Sequence, residues 1–430
     1  MSARSVAVVG AGWAGLAAAV RAVEAGHRVS VFEMAPRAGG RARSFEIDGR
    51  VLDNGQHILI GAYAQTLALM RTVGADPDVL LERQPLTLLD ARGRGLQLPP
   101  GPAVPAFVRG VLALRDWPLG ERLSLLRAAL GWRLGGFRAA PTQTVADLVH
   151  SVPERARTSL IEPLCVAALN TPAEQASAQV FLRVLRDALF SGPGAADLLL
   201  PRAPLAQLLP EPAERWLRER GTAWHGQTRV QAIAPAAGGR WYVNGSEFDA
   251  VVLACPAGEA ARLAQPTAPE WSRTAAAITH EPIVTVVLQS RGTRLPAPMV
   301  ALPGDAQAPA QFAFDLGALD AQRDGLFALV ASGARTWAEA GLEATAQAAL
   351  AQAIAVFEGA TWREPPRVLH TVAERRATFL CKPGLARPPT RIAPGLAAAG
   401  DYVSGPYPST IEGAVRSALA ALDDLAIRTA

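Results

Sequence analysis

The stretch Val6–Val20, VAVVGAGWAGLAAAV, decides how the rest of the chain is read. An apolar, valine-rich run ends at Gly10 and an alanine-rich run with helical character begins near Trp13, so the sequence predicts strand, tight turn and helix. Gly10, Gly12 and Gly15 follow the spacing G-x-G-x-x-G. The first glycine permits the turn, the second lets backbone approach a pyrophosphate, and the third lets the helix pack close to the strand. Trp13 and Ala14 lie between them, where backbone amides at a helix start can meet phosphate oxygens. A second apolar run, HRVSVFEM (His27–Met34), contains Glu33 at its end. A carboxylate there accepts hydrogen bonds from ribose hydroxyls and repels the 2′-phosphate of NADP. These residues serve NAD and FAD equally.

Moving outward, 430 residues imply two domains. Half of the residues are hydrophobic, enough for a large apolar interior or an apolar cavity. No uninterrupted apolar run reaches the roughly 18 residues of a bilayer span, which argues against an integral membrane protein. The opening MSARS leads directly into a strand and leaves no room for a secretory signal, so the expectation is a cytoplasmic protein. Cys165, Cys255 and Cys381 are odd in number and far apart, which argues for buried thiols. Net charge is +4, and the basic residues are arginines apart from Lys382. They are dispersed, so no nucleic-acid partner is expected. His27, His57, His150, His225, His280 and His370 lack H-E-x-x-H spacing and there is no G-x-S-x-G, so neither a metal site nor a serine nucleophile is expected.

Glycine and proline accumulate over Gly93–Pro105, after which a helical region runs Phe107–Phe137. In it Leu123, Leu126, Leu130 and Leu134 recur at helical spacing among Arg122, Arg127, Trp132 and Arg133. Such a helix either lies on a membrane surface or is a core helix whose arginines face water. A further helical stretch, Ile161–Phe190, reads as a substrate-covering cap. Short β-runs follow at Thr228–Ile233, Trp241–Val243 and Ala250–Ala254, then strands in PIVTVVLQS (282–290) and GLFALVAS (325–332), and an alanine-rich helix over Trp337–Phe357. The tail from Gly395 reads as strand, polar loop and a helix starting near Ser409 or Thr410.

Gly39, Gly40 and Arg41, together with the tail GLAAAGDYVSGPYPSTIEGAVRSALAAL, make the chain resemble the amine oxidase and phytoene desaturase superfamily of flavoproteins. The resemblance implies that the cofactor is FAD. It implies that the two glycines allow close backbone approach, that Arg41 meets the phosphate and ribityl region, and that Gly400 and Asp401 reach FAD. The helix start at Thr410 and Ile411, with the N–H of Glu412, would then favour negative charge on the reduced flavin. Within TRVQAI the backbone of Val230 would meet the adenine side. The implied fold is a Rossmann-type α/β FAD-binding domain assembled from residues 1–65, 205–260 and 385–430, with an α+β substrate-binding cap from residues 66–204 and 261–384.

DNGQHILIGAY (53–63), LCVAALNTPAEQASAQVFLRVL (164–185), VAERRATF (372–379) and RPPT (387–390) look like the squalene-associated branch of that group, the hydroxysqualene dehydroxylases of bacterial hopanoid pathways. One departure is Ala418 after Ser417, where the family has glycine. This resemblance implies reductive removal of an allylic hydroxyl from a long apolar isoprenoid, with FAD as hydride donor; such a substrate, together with the arginine-bearing region Trp117–Trp132, leads to the expectation of peripheral contact with the inner face of the cytoplasmic membrane. It names no electron donor. Gly55, Gln56 and His57 match the loop that passes the flavin ring. His57 would orient the hydroxyl or act as an acid near working pH, or else simply bond backbone. Asn170 would aim its amide at the hydroxyl, or else end a helix. Tyr407 would wall the ring or act as a donor, whereas Asp53 shapes a turn. Rival readings are a carotenoid or squalene desaturase, a flavin amine oxidase and a non-redox isoprenoid-binding protein.

Overall fold

The computed structural model of the chain describes residues 3–358 and 362–427; Met1, Ser2 and residues 428–430 of the expected outer segments lie outside it. Strand β1 (Ser5–Val9) enters helix α1 (Trp13–Glu24) and returns as β2 (Arg28–Phe32). A hairpin, β3 (Ser44–Ile47) and β4 (Arg50–Asp53), precedes helix α2 (Ala64–Thr72). The middle of the chain carries helices α3 (Leu119–Leu134), α4 (Glu162–Leu169) and α5 (Ala178–Leu189) before β5 (Ala223–His225) and β6 (Ala250–Leu253). Next come β7 (His280–Gln289), β8 (Met299–Ala301), β9 (Phe312–Asp315), β10 (Leu326–Ala331), helix α6 (Leu342–Val356) and β11 (Arg367–Phe379). Strands β12 (Arg391–Ala393) and β13 (Leu396–Ala398) and helix α7 (Ile411–Asp424) follow.

The first sheet has the order β5-β2-β1-β6-β13-β12, parallel except at the β12 edge. Its strands therefore come from three separated stretches of chain. Val6 and Val8 pack with Leu16 of α1 and Val415, Ala418 and Leu422 of α7, while Ala7 and Val9 face the opposite layer with Trp241 and Phe248. Burial on both faces is what a parallel sheet requires, and it explains the unbroken apolar run that opens the chain. The second sheet is antiparallel, in the order β8-β9-β10-β7-β11. Along β7, Val284, Val286 and Leu288 pack toward Ala346, Ala349 and Ala353 of α6. Ile283 and Val287 instead join the cluster that contains Cys165 of α4 and Phe181 and Leu185 of α5. This period of two splits the sheet between a scaffold side and a side turned to the helical layer.

Local readings of periodicity break at three points. Thr228–Ile233 is not a strand; the ladder begins at Ile233. Arg262 donates to the carbonyls of Val230 and Gln231 at 2.8 and 2.7 Å, and the Asn244 side chain accepts from the Gln231 amide, so side chains satisfy this backbone in place of a neighbouring strand. The predicted helix over Trp337–Phe357 is cut at Gly341, whose φ of +102° ends one short helix before α6 begins. Ile161–Phe190 breaks at Asn170, in the left-handed region with φ +47°, which closes α4. In α3 it is Leu125 and Ala129 that are buried, while Leu123, Leu130 and Leu134 are 51, 55 and 80% exposed. Leu123, Leu130 and Leu134 of the row picked out by its spacing face solvent, while Leu126 and Trp132 pack against the core, so the helix has one face in the core and one in water.

Helix α2 has no side-chain cap of its own. Glu412, buried in the first turn of α7, accepts from the Gln65 amide at 3.2 Å, the Thr66 amide at 2.9 Å and the Thr66 hydroxyl at 2.7 Å, and from Arg416 Nε at 2.7 Å. One carboxylate thus satisfies the orphan amides of a neighbouring helix. Replacing it should cost about 3 kcal/mol for Glu412→Ala, and less for Glu412→Gln, which keeps an acceptor. Urea unfolding of the two variants beside the parent checks this ordering.

Candidate cofactor and active site

The glycine turn is built by close approach. A Cβ placed on Gly10 would lie 2.7 Å from the Ala254 carbonyl oxygen, and one on Gly15 would lie 1.9 Å from the Gly10 carbonyl oxygen. Neither position admits a side chain. Gly12 differs, because a Cβ there meets nothing nearer than Gly40 Cα at 3.8 Å. Gly39 donates its amide to the Ala11 carbonyl at 2.8 Å and bridges to Gly12, so the Gly39–Gly40 turn forms the second wall of a cleft. At its floor α1 begins at Trp13 with no side-chain cap, and Ala14 and Gly15 follow in the first turn. Glu33 sits beyond the end of β2, where its carboxylate accepts from the amides of Ala11 and Ala35, both at 2.6 Å.

The two ends of the chain meet at Arg41 and Asp401. Arg41 Nη2 donates to Asp401 Oδ1 at 2.5 Å, and Nη1 donates to the carbonyls of Arg376 and Ala377 at 3.2 and 2.8 Å. Asp401 also accepts from the Ser409 hydroxyl. Burial works against the Asp401 charge, yet Arg41 and the hydrogen bonds from Arg41 and Ser409 hold its carboxyl below the usual range. The Gly400 amide donates to Ser417 Oγ at 2.8 Å, and a Cβ on Gly400 would press into the Tyr402 ring at 2.6 Å. Val230, after β5 in sequence, is buried in the core, and its carbonyl accepts from Arg262 at 2.8 Å. Thr410 caps α7 by accepting from the Gly413 amide at 3.0 Å, and Ile411 is the first helical residue, one or two places after the expected start.

Beside this cleft lies the loop after β4. Gly55 adopts φ +115°, Gln56 and His57 are half-buried, and His57 Nδ1 lies 3.4 Å from the Gly55 carbonyl. Burial, with Arg41 adding to it, pushes His57 down to about 4, so the ring is neutral at working pH. The expectation of an acid titrating near neutrality is corrected accordingly. Asn170 is corrected too. Its Nδ2 donates to Thr378 Oγ1 at 3.0 Å and to the Glu281 carbonyl at 3.2 Å, and its Oδ1 accepts from the Gly333 amide at 2.6 Å. This buried amide ties the end of α4 to the second sheet and has no donor left for a substrate. Tyr407 stands just before α7, but its hydroxyl donates to Asp187 at 3.1 Å and accepts from Arg183 at 3.3 Å. In this structure its single O–H is spent on Asp187. Asp53, nearly buried, accepts from Ser44 Oγ, the Leu205 amide and Arg323, which is a structural duty. All three cysteines are free and buried, and burial pushes the thiols of Cys255 and Cys381 up to about 12.

Sequence reasoning missed Tyr402, Glu374 and Thr285. Tyr402 is 4% exposed and its hydroxyl has no hydrogen-bond partner among the described residues. Glu374, on β11, accepts from Asn54 Nδ2 at 3.1 Å, and the same Asn54 Nδ2 donates to the Arg41 carbonyl. Thr285 interrupts the otherwise apolar run IVTVVL of β7, a signal visible in the sequence.

The cleft fits a flavin dinucleotide. An uncapped helix start lies beside the bridge between Gly12 and Gly39, where only glycine backbone lines the turn. Arg41, 38% exposed, spends three of its five N–H groups on protein and keeps two for an anion. The Glu33 carboxylate has lone pairs left for hydroxyls, and the orphaned Tyr402 hydroxyl needs a polar partner.

Comparison with known proteins agrees. The family described as flavin containing amine oxidoreductase matches residues 13–425. A hydroxysqualene dehydroxylase of Rhodopseudomonas palustris is 31% identical, covering 98% of each chain. A probable zeta-carotene desaturase of Synechococcus elongatus is 30% identical over 53% of this chain and 51% of its own. Among solved structures, an oxidoreductase from Methanosarcina mazei superposes with a TM-score of 0.74 at 16% identity, covering 97% of this chain and all of that one, which shows a shared fold.

The two glycines should separate folding from cofactor retention. Gly15→Ala should lose about 3 kcal/mol or more of stability, because the clash is with backbone. Gly12→Ala should melt near the parent temperature yet hold its dinucleotide roughly tenfold more weakly, since its methyl enters the cleft alone. Thermal melts and the ratio of visible flavin absorbance to protein, taken after dialysis, read both effects.

Proposed function

The chain belongs to the flavin containing amine oxidoreductase family and is a FAD-dependent oxidoreductase, and from that premise we propose that it removes the allylic hydroxyl of hydroxysqualene reductively, giving squalene. The observation that carries this reading is the likeness to a hydroxysqualene dehydroxylase along 98% of both chains. The desaturase likeness spans only about half of each. Bound FAD supplies two-electron hydride chemistry. Overall, replacing C–OH by C–H consumes one hydride and one proton and releases water.

The residues of this chain divide the remaining work. Gly12, Gly39, Gly40, Arg41 and the amides of Trp13, Ala14 and Gly15 hold the pyrophosphate. Glu33 takes a ribose, the Val230 backbone borders the adenine, and Asp401 fixes the Arg41 guanidinium. Thr410 and Ile411 open α7, whose positive end favours negative charge in the cofactor ring. Leu160, Phe181, Leu185, Ile283 and Val287 belong to one large apolar cluster shared by the second sheet and the helical layer, and an apolar interior there suits a long isoprenoid. Neutral His57, with Gly55 and Gln56, borders the reacting end and offers hydrogen bonding without acid strength.

The substrate of such an enzyme partitions into bilayers, and α3 offers a surface that would meet one. Leu119, Leu123, Leu130 and Leu134 are exposed on it, with exposed Arg127 and Arg133 beside them to meet anionic headgroups. No described helix is long and apolar enough to cross a membrane, so the contact we infer is peripheral.

Two assays test these readings. Under anaerobic conditions, dithionite-reduced protein mixed with hydroxysqualene should yield squalene as the flavin oxidises, whereas oxidised protein should yield none. A more unsaturated lipid formed by the oxidised protein would make the enzyme a desaturase. In flotation with anionic vesicles at low salt the parent should rise with the lipid, and the triple variant Leu123→Glu, Leu130→Glu, Leu134→Glu should bind at least about tenfold less. Equal flotation of both would remove α3 from the membrane contact.

A further inference from the structure

We infer that Thr285 is the residue that recognises the substrate hydroxyl, an assignment that deepens the dehydroxylation proposed above and rests on it. The argument starts from the pleat of β7. Ile283 and Val287 project into the apolar cluster shared with α4 and α5, and Thr285, two residues from each, projects from the same face. Across the ladder Glu374 pairs with Ile283, Val372 with Thr285 and His370 with Val287, and paired residues stand on one side of a sheet. An apolar face is thus interrupted by one hydroxyl, flanked by a carboxylate and an imidazole.

That hydroxyl is unsatisfied. Thr285 is 3% exposed and its Oγ1 has no hydrogen-bond partner among the described residues. An unmet hydroxyl in such a place is destabilising, so its retention calls for a partner that arrives with a ligand. It is also aimed. A Cβ built on Gly55 would lie 3.7 Å from Thr285 Oγ1 and 3.8 Å from His57 Cε1, so the threonine hydroxyl reaches the turn that borders the cofactor cleft. Asn54 ties that turn to Glu374 and to the Arg41 carbonyl, both at 3.1 Å, and so holds Thr285, Gly55 and His57 in fixed relation. A ligand hydroxyl offers one donor and two acceptor sites, which is what Thr285 Oγ1 can pair with, while a hydrocarbon offers neither. Thr285 therefore discriminates an isoprenoid alcohol from the corresponding hydrocarbon, and it places the C–O bond at the Gly55 turn with the chain along the apolar face.

The experiment is equilibrium binding to the oxidised holoenzyme, read from the flavin absorbance or fluorescence, with hydroxysqualene and squalene as the two probes. The parent should prefer the alcohol. Thr285→Val and Thr285→Ala should each lose roughly tenfold of that preference, and Thr285→Ser should keep it. Thr285→Val should also melt above the parent in the absence of lipid, because it deletes an unmet polar group while preserving shape. If the valine and alanine variants bind flavin normally and still prefer the alcohol, the assignment is wrong while dehydroxylation stands. Loss of preference in the serine variant as well would reduce Thr285 to a packing role. A parent that does not distinguish alcohol from hydrocarbon would sink both the assignment and the dehydroxylation on which it rests.

Discussion

The pairing of Arg41 with Asp401 is the constraint on which the rest of the site depends. It joins residues 360 positions apart in sequence, and it does so at the place where three layers converge. Arg41 follows directly on the glycines that wall the cleft, its guanidinium grips the carbonyls of Arg376 and Ala377 in β11, and Asp401 precedes the loop that leads to α7. A carboxylate this deeply buried is tolerable only with a cation and hydrogen bonds around it. Arg41 and Ser409 supply both, and two N–H groups of Arg41 stay unspent on the described residues. The ion pair is therefore a positioning device that sets the second sheet against the first.

From that junction the division of labour follows. The strands of the first sheet are buried on both faces, and its first turn consists of glycines pressed against carbonyls. The second sheet has a different character. One side of β7 and β11 is sealed by α6, while the other carries polar groups in an apolar setting: Thr285, Glu374 and His370. Preformed binding for a dinucleotide thus faces a surface that a lipid would lie along. Asn170 contributes by locking the helical layer to this sheet, with every polar atom of its amide satisfied internally. Its left-handed backbone ends α4.

The legibility of these features in the sequence tracks the range of the interactions that produce them. Gly10, Gly12, Gly15 and Glu33 were readable because a strand, a turn and a helix are local, and each glycine answers a contact within or beside that unit. Periodicity misled where side chains competed with the backbone ladder, as Arg262 and Asn244 do around Val230, and where one residue broke a helix, as Gly341 does. It was silent on direction in α3. Leucines at helical spacing do not say which way they face, because that depends on what packs against the opposite side, here the side of Leu125 and Ala129. His57, Asn170 and Tyr407 had chemistry suited to catalysis, but protonation and spare donors are set by neighbours distant in sequence.

By itself, then, the sequence determined the α/β class, the dinucleotide cleft with its glycines and acid, and the resemblance that implied a flavin. These rest on backbone geometry and on spacing along a single element, which are properties of consecutive residues. Only the tertiary structure decided that Arg41 meets Asp401, that Glu412 caps a helix from another part of the chain, that Asn170 and Tyr407 are engaged elsewhere, and that the Thr285 hydroxyl beside the Gly55 turn finds no partner among the described residues. Each of those outcomes depends on desolvation and hydrogen-bond satisfaction, which are fixed when distant segments pack and are not encoded in the spacing of neighbouring residues.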